Sequence, residues 1–154
     1  LNWNSKEADL YLKEKKFIDT AVIPLLPVGF EQDMRTFAAQ GEFISLLSMH
    51  LEHQFKGRLM LFPAFTYLNT EEKTIAEKRL DDWKSAMKNA GFKYVFFLTS
   101  DSDWRFSSEE LERSLMWLPS IPLDNMDEKY KHSIMEDQVK QLLNVIVKKW
   151  QAEA

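Results

Sequence analysis

Ala21-Val-Ile-Pro-Leu-Leu-Pro-Val28 is an unbroken apolar run, with none of the polar alternation of a strand that is wet on one side. Such a run is the signature of a strand covered on both faces. It places the first strand over Phe17 to Val28. Working outward, Arg58 to Phe65, Tyr94 to Thr99 and Leu115 to Leu118 have the same character. All five prolines, Pro24, Pro27, Pro63, Pro119 and Pro122, lie in or at the ends of apolar runs. Proline lacks the N–H that a ladder needs, so three strands are expected to end in a proline break, with Pro24 at an edge position or a bulge.

Helical periodicity fills the gaps. Asn4 caps a short amphipathic opening helix, with Trp3 set to staple against Ala8. Residues 31 to 55 carry Met34, Phe37, Ala38, Ile44, Leu47 and Leu51 on one stripe. Gly41 on that stripe predicts close helix–sheet contact, or else a firm helix from Glu42 preceded by a lid over residues 30 to 40. Gly57 is expected as a left-handed helix stop. A helix capped by Asn69 or Thr70 buries Ile75, Ala76, Leu80, Trp83, Ala86 and Met87, turns Lys84 to water, and stops at Gly91. Ser107 and Glu110 predict a capping box, and a last helix runs to about Trp150.

Strands and helices thus alternate, which defines a three-layer α/β fold with a mostly parallel four-stranded sheet and helices on both faces. The expected strand order is 2-1-3-4, a Rossmann-like or flavodoxin-like arrangement. Nothing in the composition divides the chain, so residues 1–154 are expected to form a single domain.

The 154 residues have no cysteine and a formal charge of -4, with 20 basic against 24 acidic side chains. Disulfides, thiolate chemistry and cysteine metal sites are excluded. The charge offers no basic field to nucleic acid. No apolar stretch approaches the roughly 20 residues of a membrane span, so no membrane insertion is expected. A polar start without a signal peptide points to the cytoplasm.

The chemistry is bounded mainly by elimination. The four glycines, at 29, 41, 57 and 91, are scattered, so no phosphate-cradling loop exists and no nucleotide cofactor is expected. His50 and His53 stand three apart rather than the four of a helical zinc site, a spacing that can still converge, but with Glu52 they lie at a helix end where histidines commonly sit in solvent, and His132 is far off. Leu26-Pro-Val-Gly-Phe-Glu-Gln-Asp33 is similar to the metal-binding opening of creatininase-type amidohydrolases. There a histidine follows Glu-Gln, whereas Asp33 does here, and the further ligands are missing. No metal is expected.

Two candidate sites remain at the carboxyl edge, where open α/β sheets bind ligands. Phe30, Phe65, Tyr67 and Trp104, with Glu31, Gln32, Thr66, Asn69, Thr99 and Asp101, are expected to line a mixed pocket or an aromatic lid. Thr99-Ser-Asp-Ser-Asp103 and Ser120 lie at strand ends, and Asp101 with Asp103 suits a carboxylate pair. No strained Gly-x-Ser-x-Gly elbow surrounds Thr99, Ser100 or Ser120.

Asp19-Thr-Ala-Val-Ile-Pro-Leu-Leu-Pro-Val28, Gln40-Gly-Glu-Phe43, Phe55-Lys-Gly-Arg58, Phe96-Phe-Leu-Thr-Ser-Asp101 and Trp117-Leu-Pro-Ser-Ile-Pro-Leu123 together resemble the YpiF-like family. That family comprises short proteins of Bacillus and related spore-forming bacteria with no function assigned. The resemblance implies a bacterial cytoplasmic protein and carries over no catalytic residue. The strand–helix–strand opening is also similar in fold to the amino-terminal domain of TolB-like proteins. The expectation is a non-catalytic binding or adaptor domain for a protein partner or small ligand, with a homodimer left open. The alternative is a small hydrolase using Asp101 or Asp103 with Thr99 or Ser100.

Overall fold

The computed structural model describes residues 1–104 and 106–152. The elements are α1 (Ser5–Lys13), β1 (Thr20–Val28), α2 (Met34–Gln54), β2 (Leu59–Leu61), β3 (Phe65–Leu68), α3 (Lys73–Ala90), β4 (Tyr94–Thr99), α4 (Glu109–Ser114), β5 (Leu115–Trp117) and α5 (Glu128–Ala152). The strands run β2-β1-β4-β5, with β3 also on β1, and every pairing is parallel. The expected α/β class and the 2-1-3-4 order are both present, with β2 and β3 sharing the place of one strand.

Alternation along β1 builds two cores. Ala21, Ile23 and Leu25 point to the layer of α1, α3 and α4, where they meet Leu80, Trp104 and Leu111. Val22 points the other way, toward Phe43, Leu47, Val139 and Ile146 of α2 and α5. This period-two division gives the three layers.

The expected proline breaks need correction. Pro24 and Pro27 lie inside β1, the central strand, and end nothing. The N–H of Thr20 donates to Arg58 O and the C=O of Val22 accepts from Phe62 N, so even-numbered residues of β1 face β2 and β3. Pro24's missing donor therefore faces the gap between β2 and β3. There Phe62, Pro63 and Ala64 oppose only Ile23 and Pro24, a bulge by one residue. Pro27 faces the opposite side, beyond the last β1–β4 pair, Pro24 with Leu98. Neither proline removes a ladder bond. Pro63 splits the expected second strand, which is why the sheet has five strands.

Other boundaries shift for local reasons. Phe17 is exposed and precedes β1. The α2 helix begins at Met34, so residues 34 to 40 are helix rather than lid, and a Cβ at Gly41 would meet nothing within 4 Å. Close sheet contact is therefore not Gly41's role. Gly57 does not adopt a left-handed φ, whereas Gly91 does (φ 115°) and closes α3 as expected. The cap of α3 is Glu72, and Ser108 rather than Ser107 caps α4 through Leu111 N. Trp3 packs against Phe62, its ring centre 5.5 Å away. Ile75 and Trp83 are exposed, while Lys84 is only 6% exposed. The Lys84 ammonium donates to Glu110 O and Ser114 Oγ, both at 2.8 Å, and burial pushes its pKa down. Its aliphatic stem takes the core-facing position that Trp83 was expected to hold.

Candidate functional site at the carboxyl edge

Beyond the Pro24–Leu98 pair the central ladder parts. β1 continues with β3, through Leu25–Phe65 to Val28–Leu68, and β4 continues with β5, through Phe97–Leu115 to Thr99–Trp117. The polar end of β4 occupies the fork. Thr99 Oγ1 reaches back to Leu25 O at 3.4 Å and accepts from Asp101 N at 3.0 Å.

Asp101 is only 9% exposed, and both its oxygens are engaged. Oδ2 accepts from the Tyr67 hydroxyl at 2.6 Å, and Oδ1 accepts from Asp103 N at 2.9 Å in a turn that side chains of this type favour. Tyr67 OH in turn accepts from Trp104 Nε1 at 2.9 Å. Burial, and then the carboxylate bonded to it, push the Tyr67 phenol far above its ordinary range, so it remains a donor. The Trp104 ring meets Tyr67 edge-on at 4.9 Å and stacks on Phe106 at 5.3 Å. Glu77 of α3 secures the far end of this loop, accepting from Ser107 N, Ser107 Oγ and Ser108 N.

A cleft of about 320 Å³ opens beside this network, lined by Asp101, Ser102, Trp104, Glu112, Leu115 and Trp117. Trp104 forms its buried wall, while Trp117 is 47% exposed at the end of β5. Glu112, an exposed carboxylate, supplies negative charge at the rim. A second cavity, about 220 Å³, lies between the ends of β1 and β3, among Gly29, Phe30, Glu31, Asp33, Leu68, Asn69 and Thr70. Gly29 is needed there for space: a Cβ would come within 2.8 Å of the Phe37 ring and 3.0 Å of Asn69 Oδ1.

The expected residues thus separate into four groups. Asp101 and Trp104 meet at the first cleft, and Phe30 and Glu31 line the second. Phe65, Tyr67, Thr99 and Ser100 are buried, with Ser100 Oγ lacking a hydrogen-bond partner among the described residues. Gln32 and Thr66 are exposed, and Ser120 is half-buried away from both cavities. The structure therefore does not assemble all of them into one pocket. Trp117, Glu112 and Leu115 were missed, because a tryptophan closing an apolar strand gives no sign that its outer face stays open. His132 comes within 5.4 Å of His50, ring to ring. Among the described residues, no group of three or more histidine, aspartate or glutamate side chains is placed to hold a metal ion. No helix among them is long and apolar enough to cross a membrane.

Fold and site together define a three-layer α/β protein with an aromatic-walled cleft at the carboxyl edge of its sheet. The chain belongs to the family described as "Protein of unknown function (DUF2487)", whose model matches residues 9–150. It is 35% identical over 150 residues to the "Uncharacterized protein YpiF" of Bacillus subtilis (strain 168), covering 97% of this chain and 98% of that protein. No solved structure matches the chain.

Proposed function

We propose that this protein is a non-catalytic binding domain that takes its partner at the carboxyl edge, in the cleft between Trp104 and Trp117. The observation that carries this reading is the exposed Trp117 ring sharing a cleft with a Trp104 ring that is fixed through Tyr67 and Asp101. Rigid aromatic walls bind at little entropic cost, and a rim carboxylate adds attraction for a cation over their faces. The occupant class is therefore an apolar group with a cationic tip, from a partner side chain or a small amine. Phe30, 69% exposed, and Leu68 extend the apolar surface along the same edge. The hydrolase alternative has less support, since Asp101 and Thr99 spend their polar atoms on structural bonds.

A thermal-shift panel of alkyl and aromatic amines, amino acids, nucleotides and divalent cations tests this. An amine at a hundred times its dissociation constant adds about 2.7 kcal/mol, roughly 5–10 °C for a chain of this size. The shift should vanish in Trp117→Ala, and the amine should be recovered unchanged. Consumption of a panel compound that stops in Asp101→Asn would establish the hydrolase instead.

A further inference from the structure

A different surface lies at the other end of β4. β4 pairs with β1 from Tyr94 to Leu98, but on its other side β5 covers only Phe97 to Thr99. Tyr94 N donates to Asp19 O at 3.0 Å, so Tyr94 turns its backbone groups toward β1. Successive residues alternate, so the N–H and C=O of Val95 face the opposite edge. At the far end Thr99 O accepts from Leu118 N on that same edge, in phase with Val95. Among the described residues no strand lies beside Val95 there.

A groove of about 520 Å³ runs along this half-edge, with Tyr94, Val95 and Phe96 as its floor. Lys84 and Lys88 of α3 wall it from one helix layer, and Lys149 of α5 from the other. The slot thus lies where one more strand would extend the sheet between its two layers. Lys93 and Arg113 add positive charge against Glu109 and Glu110, leaving three positive charges in excess in a chain whose net charge is -4. Lysines on an open edge repel a second copy of the same edge. The same charges favour an acidic strand, which is selection by complementarity and repulsion together.

We propose that the open half-edge of β4 binds an acidic, extended peptide segment of a partner protein, which adds to the sheet beside Val95 and sets its carboxylates among Lys88, Lys149 and Lys93. Main-chain bonds to Val95 supply the register and the lysines supply the choice of sequence.

The test uses a fluorescein-labelled peptide of alternating threonine and glutamate, about eight residues long to match a strand. Fluorescence anisotropy should show binding that weakens as salt rises from about 50 to about 500 mM. Amide exchange at Val95 should slow on peptide addition. The double variant Lys88→Glu/Lys149→Glu should bind about tenfold or more weakly, with circular dichroism reporting an unchanged fold. If the double variant does not fold, Lys149→Glu alone makes the comparison. Equal binding of the same peptide N-methylated at alternate amides would show charge without strand addition and overturn the proposal. So would equal binding of a threonine–lysine peptide, or no binding at about 1 mM.

Discussion

At its carboxyl end β4 runs into Thr99, Ser100 and Asp101, where Tyr67 and the following turn engage both oxygens of Asp101 and Trp104 donates to Tyr67. Four residues before Thr99, the same strand leaves the backbone of Val95 beside a groove walled by lysines of α3 and α5. One end is finished by side chains from distant segments, and the other is left for something else to finish. What the neighbours cover, more than the strand's own residues, decides which of its backbone groups stay open. Changes to the buried Tyr67 or Trp104 should therefore cost folding stability, and changes to Lys88 or Lys149 at the amino half-edge should cost binding alone.

The largest effect expected is from Trp104→Ala. It removes a ring that is 1% exposed from the core and strips Tyr67 of its donor. A loss of about 3–5 kcal/mol is expected in urea unfolding. A loss under about 1 kcal/mol would mean that the loop after β4 only lies over the core. Next is Tyr67→Phe, which keeps the ring but removes the hydroxyl that donates to Asp101 Oδ2 and accepts from Trp104 Nε1, for about 1–3 kcal/mol. The pH dependence has a definite sign. Tyr67's folded pKa lies above its unfolded value near 10, so its contribution is complete below pH 10 and fades as pH rises further. The stability gap between wild type and Tyr67→Phe should narrow above pH 10 in parallel unfolding series; a constant gap would contradict the buried phenol. The smallest effect belongs to Lys149→Glu, within about 0.5 kcal/mol. Should it cost as much as Tyr67→Phe, the two ends of β4 would be alike in kind and the comparison would fail.

Much of the frame was legible because it depends on neighbours in sequence. Tyr94-Val-Phe-Phe-Leu-Thr99 reads as a buried strand and is one to the residue. Gly91 reads as a left-handed stop because only glycine adopts that backbone at no steric cost, and it is one. The site was half legible. Asp101 and Trp104 read as site residues because they follow a strand, and both line the cleft. Tyr67 reads as lying beyond a strand end, yet it lies inside β3, because Pro63 interrupts that strand and then lets it resume one residue out of step. Lys84 read as solvent-facing because a charge normally is. Its burial depends on Ser114 and Glu110 of α4, partners about thirty residues away that no local pattern pairs with it.

The opening run of β1 divides the two kinds of information most sharply. By itself the sequence determined that this segment is a strand covered on both faces, because its apolar residues point to both; its interior place in the sheet came with the tertiary structure. The sequence also determined that Pro24 and Pro27 must each lack a ladder donor. Only the tertiary structure decided what those missing donors do. Pro24 faces the bulge at Pro63 and Pro27 faces the space past the end of β4, so the strand keeps its pairing. The direction of an N–H follows from register, and register is set by the packing of whole layers.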